Sequence, residues 1–169
     1  MTPICIFFDI DGTLVDTHGV GKGTFHRAIA TLFGVEEDLN GISFAGSTDM
    51  NLFRQVCEKH GRIATPELEQ AFFDLLYIYI DNKDAVSGIT LLPGVTELLQ
   101  ALSMREAVML GLLTGNVERC ARVKLSPHQL NAYFPFGAYG DKFAHRPDIA
   151  RRARERAMAS CNLACSTSL

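Results

Sequence analysis

The chain of 169 residues lacks any paired-cysteine or cysteine–histidine pattern. Its five cysteines, Cys5, Cys57, Cys120, Cys161 and Cys165, make no CxxC spacing, and its five histidines are scattered without ligand spacing. A zinc cluster or a disulfide framework is therefore not what organises it, and the odd cysteine count favours a reduced, cytoplasmic setting. A long apolar run is missing too: Asp9 and Asp11 interrupt the N-terminal one, and no basic stretch precedes it. The start thus reads as neither a signal peptide nor a membrane span. There is no internal repeat or low-complexity tract. Surplus positive charge is also absent, the formal net charge being −3. This argues against general nucleic-acid binding, which draws its affinity from Lys and Arg on phosphates.

What is present is a globular composition, 47% hydrophobic and 21% charged, in a length that suits one domain or one domain with an insertion. The charge is unevenly spread. Residues 1–100 hold 14 acidic and 6 basic side chains, whereas residues 101–169 hold 5 and 10, so the second part suits a small anionic ligand.

Ile4 to Phe8 is a short apolar run closed by a polar turn, the pattern of a buried parallel strand. From residue 22 the period turns helical through Phe25, Ala28, Ile29, Leu32 and Phe33, with Gly34 as the stop. A second helix is expected to start at Ser47, Thr48 or Asp49, and a third at Thr65 with Pro66 in its first turn. In the third, Leu68, Ala71, Phe72, Leu75, Leu76 and Tyr79 form the expected stripe. Pro93 and Gly94 open a helix with Val95, Leu98, Leu99 and Leu102 inward, and Ala107 to Leu113 is a second buried strand ending in Thr-Gly-Asn. A helix from about Val117 to Leu125, a short strand near Phe136 to Tyr139 and a helix opened by Pro147 follow. Residues 159–169 show no periodicity. Alternating strands and helices mean a parallel sheet with right-handed crossovers, whose ligands bind at the carboxyl ends of the strands.

Both polar signatures, Asp9-Ile10-Asp11-Gly12-Thr13 and Thr114-Gly115-Asn116, fall at such ends. Carboxylates two apart on an extended strand end point the same way, so Asp9 and Asp11 can share one pocket, one attacking while the other moves a proton. Their repulsion favours a bound divalent cation or a raised pKa on one, and oxygen-only ligands suit Mg2+. Thr114, Gly115 and Asn116 add hydroxyl, backbone and amide donors fit for phosphate oxygens. Lys124 and Arg146 are the cations within reach of that mouth.

On these residues the chain resembles the haloacid dehalogenase superfamily, and more closely its phosphoglycolate-phosphatase-like branch with a helical cap inserted after the first strand. Phe8-Asp9-Ile10-Asp11-Gly12-Thr13-Leu14 resembles the first motif and Leu113-Thr114-Gly115-Asn116 the second, over residues 4 to about 157. The resemblance implies an α/β fold: a Rossmann-like parallel sheet core of residues 1–15 and 89–158, a helical cap at 16–88, and an atypical tail at 159–169. It implies Asp9 as nucleophile, forming an aspartyl-phosphate, and Asp11 as the acid/base. The Asp9 side chain and the Asp11 backbone carbonyl would hold Mg2+. Thr114, Gly115, Asn116 and Lys124 would bind phosphate, with Lys124 preferred over Arg146 for offsetting charge on nucleophile and phosphate. The acidic residue at Asp11 favours phosphoryl transfer over carbon–halogen cleavage. The loop Phe44-Ala45-Gly46-Ser47-Thr48-Asp49 resembles the cap segment turned toward substrate, with Thr48 as the contact.

The fourth motif, an acidic pair after an apolar strand beyond the last helix, has no counterpart. Asp141 and Asp148 precede its place, and 11 residues follow Met158, fewer than the roughly 30 of a strand–helix–strand unit. A sheet lacking its C-terminal strands is therefore expected, with the first strand at an exposed edge. The expected function is a phosphomonoester hydrolase for a small phosphorylated metabolite, with no nucleic-acid or membrane partner and an open oligomeric state; a catalytically dead fragment and a sugar phosphomutase remain the alternatives.

Two other patterns invite readings that fail. Gly19 to Thr24 imitates a phosphate loop, but Asp16 stands where the first glycine belongs and Gly23 follows the lysine. It reads instead as a loop entering the cap, from which Lys22 can face a substrate. Arg151, Arg152, Arg154 and Arg156 spread around more than one helix face while Ile149, Ala153 and Ala157 mark the inward side, as in a solvated helix.

Overall fold

The computed structural model describes residues 4–36 and 39–166, with side chains described as far as residue 160. The ends of the expected core and tail at residues 1–3 and 167–169, and residues 37–38 of the expected cap, lie outside the described residues.

Strand β1 (Ile4–Phe8) pairs in parallel with β4 (Val108–Leu113), which pairs in parallel with β5 (Phe136–Ala138), giving the order β1-β4-β5. β4 is central, and its apolar run VMLGLL follows from burial on both faces. β1 is an outer strand of the described sheet, with Ile4 exposed. The register sets Phe8 opposite Leu112, so the two polar strand ends emerge side by side. Helices α5 (Val95–Ser103) and α6 (Glu118–Leu125) bring Val95, Leu99, Ala121 and Leu125 into one apolar cluster with Leu110 and Leu112 of β4 and with Ile10 just beyond β1. On α5 the outward turn takes Leu98, expected inward, into solvent. Helix α7 (Arg146–Ser166) packs Ile149 and Ala153 on Ala138 of β5. α7 runs well into the segment expected to be an aperiodic tail. No glycine or proline follows Pro147 to stop it, and alanines dot the stretch, so backbone propensity continues a helix that amphipathic spacing does not announce.

Between β1 and β4 lie α1 (Val20–Phe33), α2 (Asp49–Lys59), α3 (Pro66–Ile80) and the short α4 (Lys83–Ser87). Their starts follow the caps legible in the sequence: Thr48 and Thr65 accept hydrogen bonds from Asn51 and Leu68, and Gly34 ends α1 in the left-handed conformation. A second apolar cluster gathers Phe25, Ile29, Phe33, Phe53, Phe72 and Leu76. At its centre the rings of Phe53 and Phe72 stack at 4.3 Å, with Phe25 edge-on to Phe72 at 4.9 Å. Each such pair adds about 0.5–1.5 kcal/mol beyond area burial. Val117, which caps α6, and Cys120 of α6 join this cluster, so it also packs onto the sheet-bearing half. The buried face of α3 is Glu69, Phe72, Phe73, Leu76 and Ile80; Ala71, expected inward, is exposed, because the aromatic pair at 72 and 73 turns the helix.

One strand pairing has no signal in the sequence. β2 (Val15–Asp16) runs antiparallel to β3 (Thr90–Leu91), a two-rung ladder where the chain leaves for the helical block and returns. Two-residue strands are too short to show alternation.

Candidate active site

β1 ends in a tight turn. Asp9 accepts the Ile10 N–H at 2.8 Å on Oδ1, Leu14 N–H returns to the Ile10 carbonyl at 2.9 Å, and Gly12 takes a positive φ. That turn presents the Asp9 and Asp11 carboxylates at the mouth between β1 and β4. Thr114 closes β4 and is fully buried; its Oγ1 accepts the Asn116 amide Nδ2 at 2.7 Å. The same Nδ2 donates to Asp11 Oδ2 at 2.7 Å, tying the two strand ends together.

Each carboxylate has its own cation. Lys124 is 3% exposed, and its Nζ lies 2.8 Å from both Asp11 oxygens and 2.6 Å from Asn116 Oδ1. Arg146 Nη2 donates to Asp9 Oδ2 at 2.7 Å. The structure brings both cations expected at the mouth into it, and it is Arg146, the less favoured of the two, that meets Asp9. Burial pulls the Asp11 pKa upward, but the Lys124 charge and the hydrogen bonds from Lys124, Asn116 and Thr17 outweigh it. The net result holds Asp11 below the ordinary 3.8.

A third carboxylate enters from α2. Burial pushes Asp49 up to about 6 against the pull of Lys124 and of the Val117 N–H, which donates to Oδ2 at 2.8 Å; Asp11 and Asp141 raise it further. Nearby, burial and Asp49 push the Cys120 thiol up to about 12, so it stays protonated at neutral pH and is no nucleophile.

These groups line a cavity of about 350 Å³. Asp9, Asp11, Thr114, Gly115, Asn116, Lys124 and Arg146 come from the strand ends and the helices after them. The helical block adds Lys22 and Thr24 with an apolar wall of Phe25, Phe44, Leu52, Leu76 and Ile80. Thr48 is not part of the lining. It is 1% exposed, its hydroxyl donating to the Ala144 carbonyl at 2.9 Å and accepting Asn51 N–H at 3.0 Å. The expected substrate contact is therefore a docking point, since both its hydrogen-bonding capacities are spent holding α2 on the loop before α7. Beside it, Asp49 N–H donates to the Gly115 carbonyl at 2.8 Å and Met50 N–H to the Gly140 carbonyl at 3.3 Å. Glycine is required at 115, where a Cβ would lie 2.2 Å from the Ser47 carbonyl oxygen.

Sequence reasoning read Asp49 as a possible helix start and as the end of the loop turned toward substrate, without giving its carboxylate a role, and it missed Thr17, which reaches Asp11 at 3.3 Å from just beyond β2. The apolar wall was legible as helical core but not as a lining.

A family model described as haloacid dehalogenase-like hydrolase matches residues 6–164. The chain belongs to the haloacid dehalogenase-like hydrolase family. The solved structures agree with that fold. CbbY from Rhodobacter sphaeroides, in complex with phosphate, is 22% identical with a TM-score of 0.62, over 88% of this chain and 70% of CbbY. A hydrolase from Pseudomonas syringae is 19% identical with a TM-score of 0.67, over 92% and 70%. A predicted phosphoglycolate phosphatase from Haemophilus somnus is 18% identical with a TM-score of 0.54, over 82% of this chain and 63% of its own. This family member thus spans about two thirds of those chains. No curated protein matches it. Among the described residues no helix is long and apolar enough to cross a membrane.

Proposed function

We propose that the chain is a phosphomonoester hydrolase that takes a small phosphorylated metabolite through an aspartyl-phosphate on Asp9. The observation that carries this reading is the pairing at the carboxyl ends of β1 and β4: two carboxylates, each held by its own cation, beside a buried hydroxyl and amide inside one cavity. Asp9 attacks phosphorus, and Arg146 screens the charge between nucleophile and phosphoryl oxygens. The leaving alkoxide takes a proton from Asp11. Asp11, as carboxylate again, removes a proton from the water that attacks the phosphorus of the intermediate, which frees inorganic phosphate and restores Asp9. The depressed pKa of Asp11 suits this second half. For the first half, phosphoryl oxygens that draw the Lys124 ammonium loosen its hold on Asp11, and burial then favours the protonated acid.

Mg2+ is the cofactor this reading calls for, and the donor set fits its preference for hard oxygens. The Asp9 carboxylate and the Asp11 main-chain carbonyl would hold it, with phosphate oxygens and waters completing the shell, as Mg2+ commonly allows. Among the described residues no group of three His, Cys, Asp or Glu side chains is placed to hold a metal, so the ion would depend on substrate oxygens. When bound, it supplies positive charge against the phosphoryl group.

The division into a core of residues 1–15 and 89–158 and a cap of 16–88 is part of the same proposal. Support comes from the two apolar clusters and from the β2–β3 ladder at the crossing points. Work in the cytoplasm is proposed from the unbridged thiols of Cys57 and Cys120. The test is acid quench during turnover of 32P-labelled p-nitrophenyl phosphate, followed by peptide mapping. Label on the Asp9 peptide, lost in Asp9→Asn, is expected; steady phosphate release by Asp9→Asn would refute the nucleophile.

A further inference from the structure

Where the chain leaves β2 for the helical block, His18 stands in the left-handed region at φ 46, followed by Gly19 at φ 84. Glycine takes that conformation freely, whereas a side chain is strained by it, even histidine, which tolerates it better than most. A histidine where glycine would sit unstrained points to a use for its ring. The ring spans the two crossings: Nε2 lies 2.9 Å from the Thr90 Oγ1 of β3, on the returning segment 72 positions on, while the His18 backbone N–H donates to Asp16 Oδ1 at 2.8 Å. The returning segment has a second histidine on it. His128, in the turn after α6, donates from Nε2 to the Ile89 carbonyl at 3.0 Å. Two imidazoles thus link the outgoing crossing, the return and the end of the helix that carries Lys124. What they hold borders the reaction centre. Thr17, next to His18, reaches Asp11 at 3.3 Å. α1 starts without a side-chain cap, so the crossing decides where its first turn lies. That turn lines the cavity, and a Cβ on Gly21 would lie 3.3 Å from the Lys124 Nζ.

Resting on the hydrolase reading above, we propose that His18 is a positioning residue for this site: through Thr90 it holds the first turn of α1 against Lys124 before substrate arrives, and His128 ties the same crossing to α6. His18 touches no reacting atom. Its role is to keep the binding-competent arrangement populated, so its loss weakens binding by the fraction of molecules that leave that arrangement.

The test is steady-state kinetics on p-nitrophenyl phosphate, with thermal melts, for wild type, His18→Gly, Thr90→Val, the double variant and Thr90→Ser. KM is expected to rise about two- to tenfold in His18→Gly and in Thr90→Val, the scale of one hydrogen bond, with kcat changed by less than about twofold. The double variant is no worse than either single one, because both remove the same contact. Thr90→Ser keeps the hydroxyl and the wild-type KM. His18→Gly melts close to wild type, since relief of the left-handed strain offsets the lost bond. A merely structural histidine would give the reverse, a lower melting temperature with KM unmoved. That result, a wild-type KM in both single variants, effects that multiply in the double, or a Thr90→Ser as impaired as Thr90→Val overturns the positioning role and leaves the hydrolase reading standing. Calorimetric binding of inorganic phosphate to the same proteins covers the case of no turnover. Binding weakened alike in His18→Gly, Thr90→Val and the double variant, and kept in Thr90→Ser, upholds the positioning role while the hydrolase reading falls. Any other pattern, equal binding by all or none by wild type included, overturns it.

Discussion

Lys124 shows how much one buried charge decides. Its ammonium holds Asp11 ionised against the burial that would protonate it, so removing it reverses the balance. Lys124→Met is expected to raise the Asp11 pKa and shift the acidic limb of the kcat/KM–pH profile upward, with a fall in kcat/KM of about 10²-fold or more; an unmoved limb would show that Lys124 does not govern Asp11. Asp49 gives the opposite sign. Its folded-state pKa, about 6, lies above the ordinary 3.8, so the native state holds a proton the unfolded chain releases, and stability falls as pH rises between those values. Asp49→Asn keeps an acceptor for the Val117 N–H without the ionisation, and should stabilise at pH 7.5 by on the order of 2 kcal/mol while changing little at pH 4. Thermal melts at the two pH values check this, and an equal loss at both would contradict it. The positions of Asp9, Asp11 and Thr114 were legible because strand ends in a parallel sheet fix where their side chains emerge. Which cation meets which carboxylate was not, because Lys124 and Arg146 arrive on α6 and α7, whose packing depends on contacts far apart in sequence.

At the scale of elements, the N-terminus of α2 is the joint between the helical block and the sheet. Thr48, Asp49 and Met50 bond to Ala144, Gly115 and Gly140, and Gly115 is bare so that the Ser47 carbonyl can approach. Thr48→Ala removes an N-cap and one of these bonds and is expected to cost about 1 kcal/mol of stability, with KM changed by less than about twofold, because the hydroxyl does not face the cavity. Chemical denaturation and steady-state kinetics on p-nitrophenyl phosphate separate the effects. A large rise in KM with unchanged stability would restore Thr48 as a substrate contact. The cap residue itself was legible in the letters Ser-Thr-Asp; its second partner, the Ala144 carbonyl 96 positions on, was not. The same contrast holds for the helices. Starts and stops at Thr48, Thr65 and Gly34 are local chemistry, while the buried face of α3 and the β2–β3 ladder are set by tertiary packing.

Over the whole molecule, the uneven charge of the sequence acquires a structural meaning. The acidic first part supplies Asp9, Asp11 and Asp49, and the basic second part supplies Lys124 and Arg146, so folding brings opposite charge together around one cavity. Membership of the haloacid dehalogenase-like family and the parallel sheet were both legible from two motifs at two strand ends, because those ends are where such a sheet places its chemistry. The measurement that bears most directly on the account is phosphate release from p-nitrophenyl phosphate across a magnesium titration, with wild type and Asp9→Asn side by side. The account predicts magnesium-dependent release by wild type and a loss of at least about 10³-fold in Asp9→Asn. No release by wild type at any magnesium concentration, or equal release by the two proteins, would contradict it.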